Sequence, residues 1–205
     1  MKRSGAAIAA FVAGVILSAC APMSTGPGPG WTALIDGGDG LQNFIGIGQA
    51  DWHVEDGAIV ADKGKGGHLV SKKSYRDFQI RAEFWADHHT NSGIFLRITN
   101  PAKITAVDAY EVNIFDQRPG PEYGTGAIVN YAKVSPMPKA GGRWNTYDIT
   151  AKGPQLVVVL NGVETANIRN DKNPSGPISL QFGNIPPKDL PGGAIKWRKL
   201  QIREL

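Results

Sequence analysis

Between Phe78 and Phe84 the chain alternates without a break: Phe78, Ile80, Ala82 and Phe84 are apolar, and Gln79, Arg81 and Glu83 stand between them. A period of two predicts a strand with one covered face, and it turns Arg81 and Glu83 away from the core. Two later stretches read the same way. In Asn91–Arg97 and the residue after it, Ile94, Leu96 and Ile98 fall on one face and Phe95 and Arg97 on the other. In Tyr110–Asp116, Val112 and Ile114 share a face, opposite Glu111 and Asn113. Ile178–Phe182 alternates again, with Gln181 off the core, and Ile195–Ile202 closes the chain with a change of phase near Lys199 that predicts a bulge. Asp56-Gly57 and Asn161-Gly162 are hairpin dipeptides between apolar runs. No stretch from residue 31 onward carries a helical period, and there are no internal repeats. Short strands at close spacing predict an all-β fold, two packed sheets in a jelly-roll β-sandwich, formed by residues 31–205 as one domain.

With the apolar faces placed inward, Arg97, Glu111 and Asn113 share the other face, and Glu83 is expected on that face too. A base, carboxylates and an amide gathered there suit a polyhydroxylated ligand. Asn91, Asn113, Asp116 and Gln181 are the candidates for hydroxyl recognition. Tyr123 and Tyr131 join them from the proline- and glycine-rich stretch 117–142, because polar-aromatic loops of that length are uncommon unless they serve a function. Each has a plainer reading: Arg97 with Glu111 or Glu83 as a structural ion pair, Asp116 as a turn former, Asn91-Ser92-Gly93 as the shape of a strand entry. Trp52 and Trp144 are assigned to the core, where large aromatics dominate.

Charge and composition narrow the partners. The chain carries +4 with its basic residues scattered, which gives no phosphate-tracking groove and argues against nucleic acid. Of the histidines, His53 and His68 are isolated, and the adjacent pair His88-His89 would point to opposite faces of a strand; no HxH or HExxH spacing occurs. The expected reading is no histidine metal site. An oxygen-ligand site for a divalent ion, built from Glu83, Glu111 or Asp116, stays open, so the cofactor is unknown. No protein partner is predicted.

The N-terminus addresses the chain. Met1-Lys2-Arg3 is a basic head and Ala6–Leu17 an apolar run, as in a secretory signal, and the run ends Leu17-Ser18-Ala19-Cys20, which resembles a bacterial lipobox. Cys20 is the only cysteine, so it forms no intrachain disulfide and is expected to carry lipid. Residues 1–19 are then the signal peptide, and residues 20–30 the lipidated cysteine with a flexible Pro/Gly tether. Ala21 after the cysteine points to the outer membrane, with the domain facing the periplasm of a bacterial envelope.

Taken together, Gly30-Trp31, Leu34-Ile35-Asp36-Gly37, Trp52–Gly57, Phe78–Phe84, Asn91–Arg97, Tyr110-Glu111-Val112, Gly142–Tyr147, Leu160-Asn161-Gly162 and Lys196–Arg203 resemble the 3-keto-disaccharide hydrolase family. The resemblance covers residues 30–205 and implies a concanavalin-like jelly roll acting on sugars oxidised to a ketone at carbon-3. Some relatives need a divalent ion. Many carry an Asp-His-Gly segment after the late Leu-Gln; here the chain reads Leu180-Gln181-Phe182-Gly183-Asn184. In such a sugar the ketone acidifies the hydrogen on carbon-2, so a carboxylate can remove it, the group on carbon-1 can leave, and water can add back. The expected roles are Glu111 as base, Arg97 as donor to the enolate or clamp on a hydroxyl pair, and Glu83 as second carboxylate. The rival expectation is a lectin-like carbohydrate-binding lipoprotein without turnover, favoured by the missing histidine. A glycosidase with paired carboxylates is weaker, for want of a compact acidic motif.

Overall fold

A computed structural model describes residues 27–185 and 190–205; the expected signal segment and Cys20 lie outside the described residues. The strands are β1 (Thr32–Asp36), β2 (Phe44–Glu55), β3 (Ala58–Tyr75), β4 (Phe78–Ala86), β5 (Ser92–Leu96), β6 (Tyr110–Ile114), β7 (Arg143–Lys152), β8 (Gln155–Leu160), β9 (Val163–Arg169), β10 (Gly176–Phe182), β11 (Asn184–Ile185), β12 (Leu190–Pro191) and β13 (Ile195–Glu204). Among the described residues the only helical turns are two short 3-10 segments, Leu41–Asn43 and Pro121–Tyr123.

All but β11 and β12 belong to one antiparallel sheet in the order β6-β5-β10-β3-β13-β4-β7-β8-β9, with β1 added on β13 and β2 on β3. The long β3 is the pivot. Its first residues pair with β13 and its later ones with β10. It therefore joins a half built from β6, β5, β10 and β2 to a half built from β1, β13, β4, β7, β8 and β9. One hydrophobic cluster gathers side chains from both halves, including Ile94, Val112 and Leu180 from the first and Phe84, Tyr147, Leu156 and Trp197 from the second. The sheet thus curls with its apolar face inward, the jelly-roll arrangement expected from the alternation.

Local chemistry sets the connections. Asp56 and Gly57 take φ of 48° and 70°, and Asn161 and Gly162 take 50° and 81°, the left-handed pair of a tight hairpin turn. The phase change near Lys199 is a register shift between Trp197 and Lys199 against β4. Trp52 packs on the core. Trp144 does not. It is 37% exposed, because Asn145, Tyr147, Ile149 and Ala151 take the inward positions of β7 and leave it outside.

Arg97 corrects a second expectation. It takes φ 52°, and this left-handed kink ends β5 and resets the alternation. Ile98, expected in the main core, instead joins Val70, Phe95 and Ala109 in a small cluster on the other side of the sheet, with Ile47 and Ile104 against it.

Candidate active site

The site is built from the outward positions of the first half. Register places Ile47, His68, Gln181, Gly93 and Asn113 in one row across β2, β3, β10, β5 and β6. The next row runs Ile45, Val70, Ser179, Phe95 and Glu111. From His68 to Asn113 the first row is polar around a glycine, and the second is apolar up to Glu111 except for Ser179.

Glu111 owes its state to that second row. It is 7% exposed beside Phe95, its cross-strand partner, and no described side chain or backbone N–H donates to its carboxyl. Burial pushes the carboxyl up to about 7, and the charge of Arg118 only partly offsets this. The lack of a side chain at Gly93 makes room, since a Cβ there would stand 3.5 Å from Glu111 Cγ and 2.8 Å from the Val112 carbonyl. Gly93 is flanked by two amides. Asn113 is fully buried and its Nδ2 donates to the Tyr123 carbonyl at 2.7 Å, but its Oδ1 has no partner among the described residues. Gln181 Oε1 is likewise buried without one. Two unsatisfied acceptors beside a buried carboxyl would be costly unless a ligand supplied donors.

His68 completes the rows. Its ring meets Phe95 edge-on at 5.0 Å, and its Nδ1 lies 3.1 Å from Ser179 Oγ. Burial pulls its pKa down to about 4, so the ring is neutral. A Ser179 hydroxyl donating to Nδ1 would place the ring proton on Nε2. Beyond Asn113 the strand line reaches Phe115, where Phe115, His89, Gln117, Pro119 and Ile185 enclose a cleft of about 140 Å³.

Residues 30–203 match the family model described as the 3-keto-alpha-glucoside-1,2-lyase-like domain. The chain belongs to this family. Its members are glycosyl hydrolase-like, carbohydrate-active domains. No curated protein matches the chain. Among solved structures, a candidate glycosyl hydrolase from Parabacteroides distasonis is similar at 23% identity and TM-score 0.67, over 85% of this chain and 99% of the other. A second from the same organism has 18% identity and TM-score 0.68, over 86% and 94%. The carbohydrate binding module CBM66 from Bacillus subtilis shares the fold at 11% identity and TM-score 0.56, over 85% and 96%.

In this member of the 3-keto-glucoside lyase-like family, several residues expected at the site are employed elsewhere. Arg97 is 1% exposed. Its Nε donates to the Arg76 carbonyl at 2.7 Å, Nη1 to the carbonyls of Gly153 at 2.8 Å and Asn173 at 3.4 Å, and Nη2 to Asp77 Oδ1 at 3.1 Å. With its donors spent on the β3–β4 and β7–β8 turns, it is a structural clamp. Glu83 is on the outer face of β4, five strand pairings from β6, held by Arg198 Nε at 2.7 Å and by Lys199 Nζ. Asp116 accepts from Thr125 Oγ1 at 2.6 Å and from the N–H groups of Ala140 and Gly141 at 2.9–3.1 Å, which fixes the 117–142 loop. Asn91 spends its Nδ2 on the Asn184 carbonyl at 2.6 Å. Tyr131 packs edge-on against Tyr110 at 5.1 Å, on the core side of β6 and so away from Glu111. Tyr123 stays close, through the carbonyl that holds Asn113, with Lys133 5.7 Å over its ring.

The carboxylates proposed for a divalent ion therefore do not converge. Glu83 is held by two cations and Asp116 by N–H donors, and the described residues contain no cluster of three or more His, Cys, Asp or Glu able to hold an ion. These residues do not fit a metal site, and no step is derived through one. Sequence reading missed His68, Ser179 and Arg118. For His68 the signal was there: Leu69 is a core residue, so its neighbours on β3 face outward. Arg118 lies in the loop after β6, where no period locates it.

Proposed function

We propose that the protein cleaves glycosides oxidised to a ketone at carbon-3, by elimination across carbon-1 and carbon-2 followed by addition of water. The observation that carries this is Glu111: a buried carboxyl whose pKa of about 7 suits a base at neutral pH, beside two unpaired amide oxygens. Gln181, partly exposed in the same row as Asn113, would bind a substrate hydroxyl through its amide, and this presents carbon-2 to Glu111. Glu111 takes the proton from carbon-2, and the electron pair moves into the carbon-3 carbonyl as an enolate. The ketone re-forms with a carbon-1–carbon-2 double bond as the glycosidic oxygen departs, taking a proton from a water molecule. His68 Nε2–H, with Ser179 holding Nδ1, would be the donor offered to the developing oxygen charge, and the charge of Arg118 would favour the ionised form of Glu111. The hydroxide left by that water adds to carbon-1, and the proton on Glu111 returns to carbon-2. The sum is hydrolysis. A lipid anchor on Cys20 would hold this domain at the outer membrane, facing the periplasm.

A lectin-like module is the second reading, favoured by Phe182-Gly183-Asn184, where Gly183 offers no side chain and packs against Asn91. The deciding experiment incubates the full-length protein with a 3-keto-glycoside and its unoxidised parent, beside Glu111→Gln. Turnover of the keto sugar alone, abolished in the variant, is the expected result. Binding without product would assign the module, and cleavage of the parent a glycosidase.

A further inference from the structure

The outer face of the second half carries a different arrangement. Trp85 and Trp144 are cross-strand partners on β4 and β7, both outward. Together with Glu55, Asp56, Ala58 and Lys196 they enclose a cleft of about 320 Å³, within the range of small-molecule sites. The floor is Ala58, itself buried, and it admits a ligand because its side chain is a single methyl. Trp144 is exposed and Trp85 half-buried, and an indole left out of the core beside a second one, both lining a cleft, marks a surface that something covers.

The polar groups identify the ligand class. Lys196 Nζ lies 3.2 Å from Glu55 Oε1 and 6.0 Å from the centre of the Trp85 ring. Arg198 stacks 4.1 Å over Trp144 while its Nε donates to Glu83 at 2.7 Å. Lys196 is paired with Glu55 and Arg198 with Glu83, and Asp56 leaves the lining one negative charge in surplus, which disfavours an anionic sugar. The cleft offers acceptors and donors side by side next to the Trp85 ring and the face of Trp144 that Arg198 does not cover. A pyranose has the matching surface: a C–H face for an indole, and equatorial hydroxyls that both donate and accept.

We propose that the Trp85–Trp144 cleft is a second carbohydrate site, taking a neutral pyranoside. It lies where the β2–β3 turn meets β13, β4 and β7, away from β6 and Glu111, and it does not rest on the keto-glycoside reading. There it would hold one part of a saccharide, or a second chain, against the protein.

The test is calorimetric titration of the full-length protein with maltose, cellobiose and glucuronate, repeated for Trp144→Ala, Lys196→Met and Glu111→Gln, with circular dichroism confirming the fold of each. The expected result is binding of a neutral disaccharide, weakened roughly tenfold by Trp144→Ala and less by Lys196→Met, and unchanged by Glu111→Gln. Keto-glycoside turnover, where present, would be retained in Trp144→Ala. The proposal fails if neither disaccharide binds, if glucuronate binds as well as the neutral sugars, or if affinity survives Trp144→Ala. It fails equally if affinity is lost in Glu111→Gln. Should Trp144→Ala not fold, Lys196→Met decides: unchanged affinity there overturns the site.

Discussion

The hydroxyl of Tyr147 donates to the Asn113 carbonyl at 2.7 Å, through the core from β7 to the strand that bears Glu111. The same oxygen accepts from Gly126 N at 3.1 Å, and burial holds the phenol well above its ordinary range, so it remains a donor. The second half of the sheet thereby supports the floor of the site. Tyr147→Phe is expected to lower stability by about 1 kcal/mol, because the Asn113 carbonyl and Gly126 N lose the hydroxyl but keep each other. Stacking on Phe84 at 5.1 Å would be kept. Thermal melts of the two proteins measure the difference.

Glu111→Gln separates chemistry from stability. As a lost general base it should lower turnover by roughly 10²–10⁴ with little change in KM. Activity of the parent protein should rise with pH through about 7 as the carboxyl ionises. Stability runs the other way. The folded pKa lies above the unfolded one, so the benefit is complete below about 4.5 and is lost as pH rises through about 7. Urea titrations should find the variant level with the parent near pH 4.5 and more stable by roughly 3 kcal/mol at about pH 8. Equal stability at both would mean that Glu111 is not desolvated.

His68 gives the opposite acid response. Its folded pKa of about 4 lies below the ordinary 6.5, so stability is complete above 6.5 and is lost as pH falls through about 4. His68→Gln should flatten that part of the acid denaturation curve. Ser179→Ala leaves the ring in place but frees its tautomer. It is expected to reduce kcat by about tenfold or more, without a matching change in KM, if the Nε2 proton is the one used.

Replacing Arg97 should look like a folding defect. Arg97→Leu strands the carbonyls of Arg76, Gly153 and Asn173 and leaves Asp77 without its cation. A loss of about 3–5 kcal/mol is expected. The fraction that remains folded should keep the parent KM, measured at low temperature. A raised KM at full stability would return Arg97 to the site.

Much of this was readable from alternation alone. Phe78 to Phe84 lies as the pattern says, and the outward placement of Glu111, Asn113 and Gln181 follows from the core positions beside them. Arg97 was misplaced because a period of two presumes extended backbone, and one left-handed residue breaks it. Glu83 was misplaced for another reason. Alternation says which face a side chain takes but not which half of a curled sheet carries it, and that is decided by the long β3 and its partners. Trp144 could have been read correctly, since Tyr147, Ile149 and Ala151 claim the inward positions; its size suggested otherwise.

β6 ends the sheet order, yet its free side is not open. Asn113 N donates to the Ala127 carbonyl, Gly126 N to the Asn113 carbonyl and Val129 N to the Glu111 carbonyl, so residues 126–129 run along it as a guard strand. A short, apolar edge such as Tyr110–Ile114 would otherwise be a template for pairing with a neighbouring chain. The loop that holds Asn113 is therefore also what covers this edge. Proteolytic nicking within it should show first as increased light scattering, ahead of any loss of secondary structure.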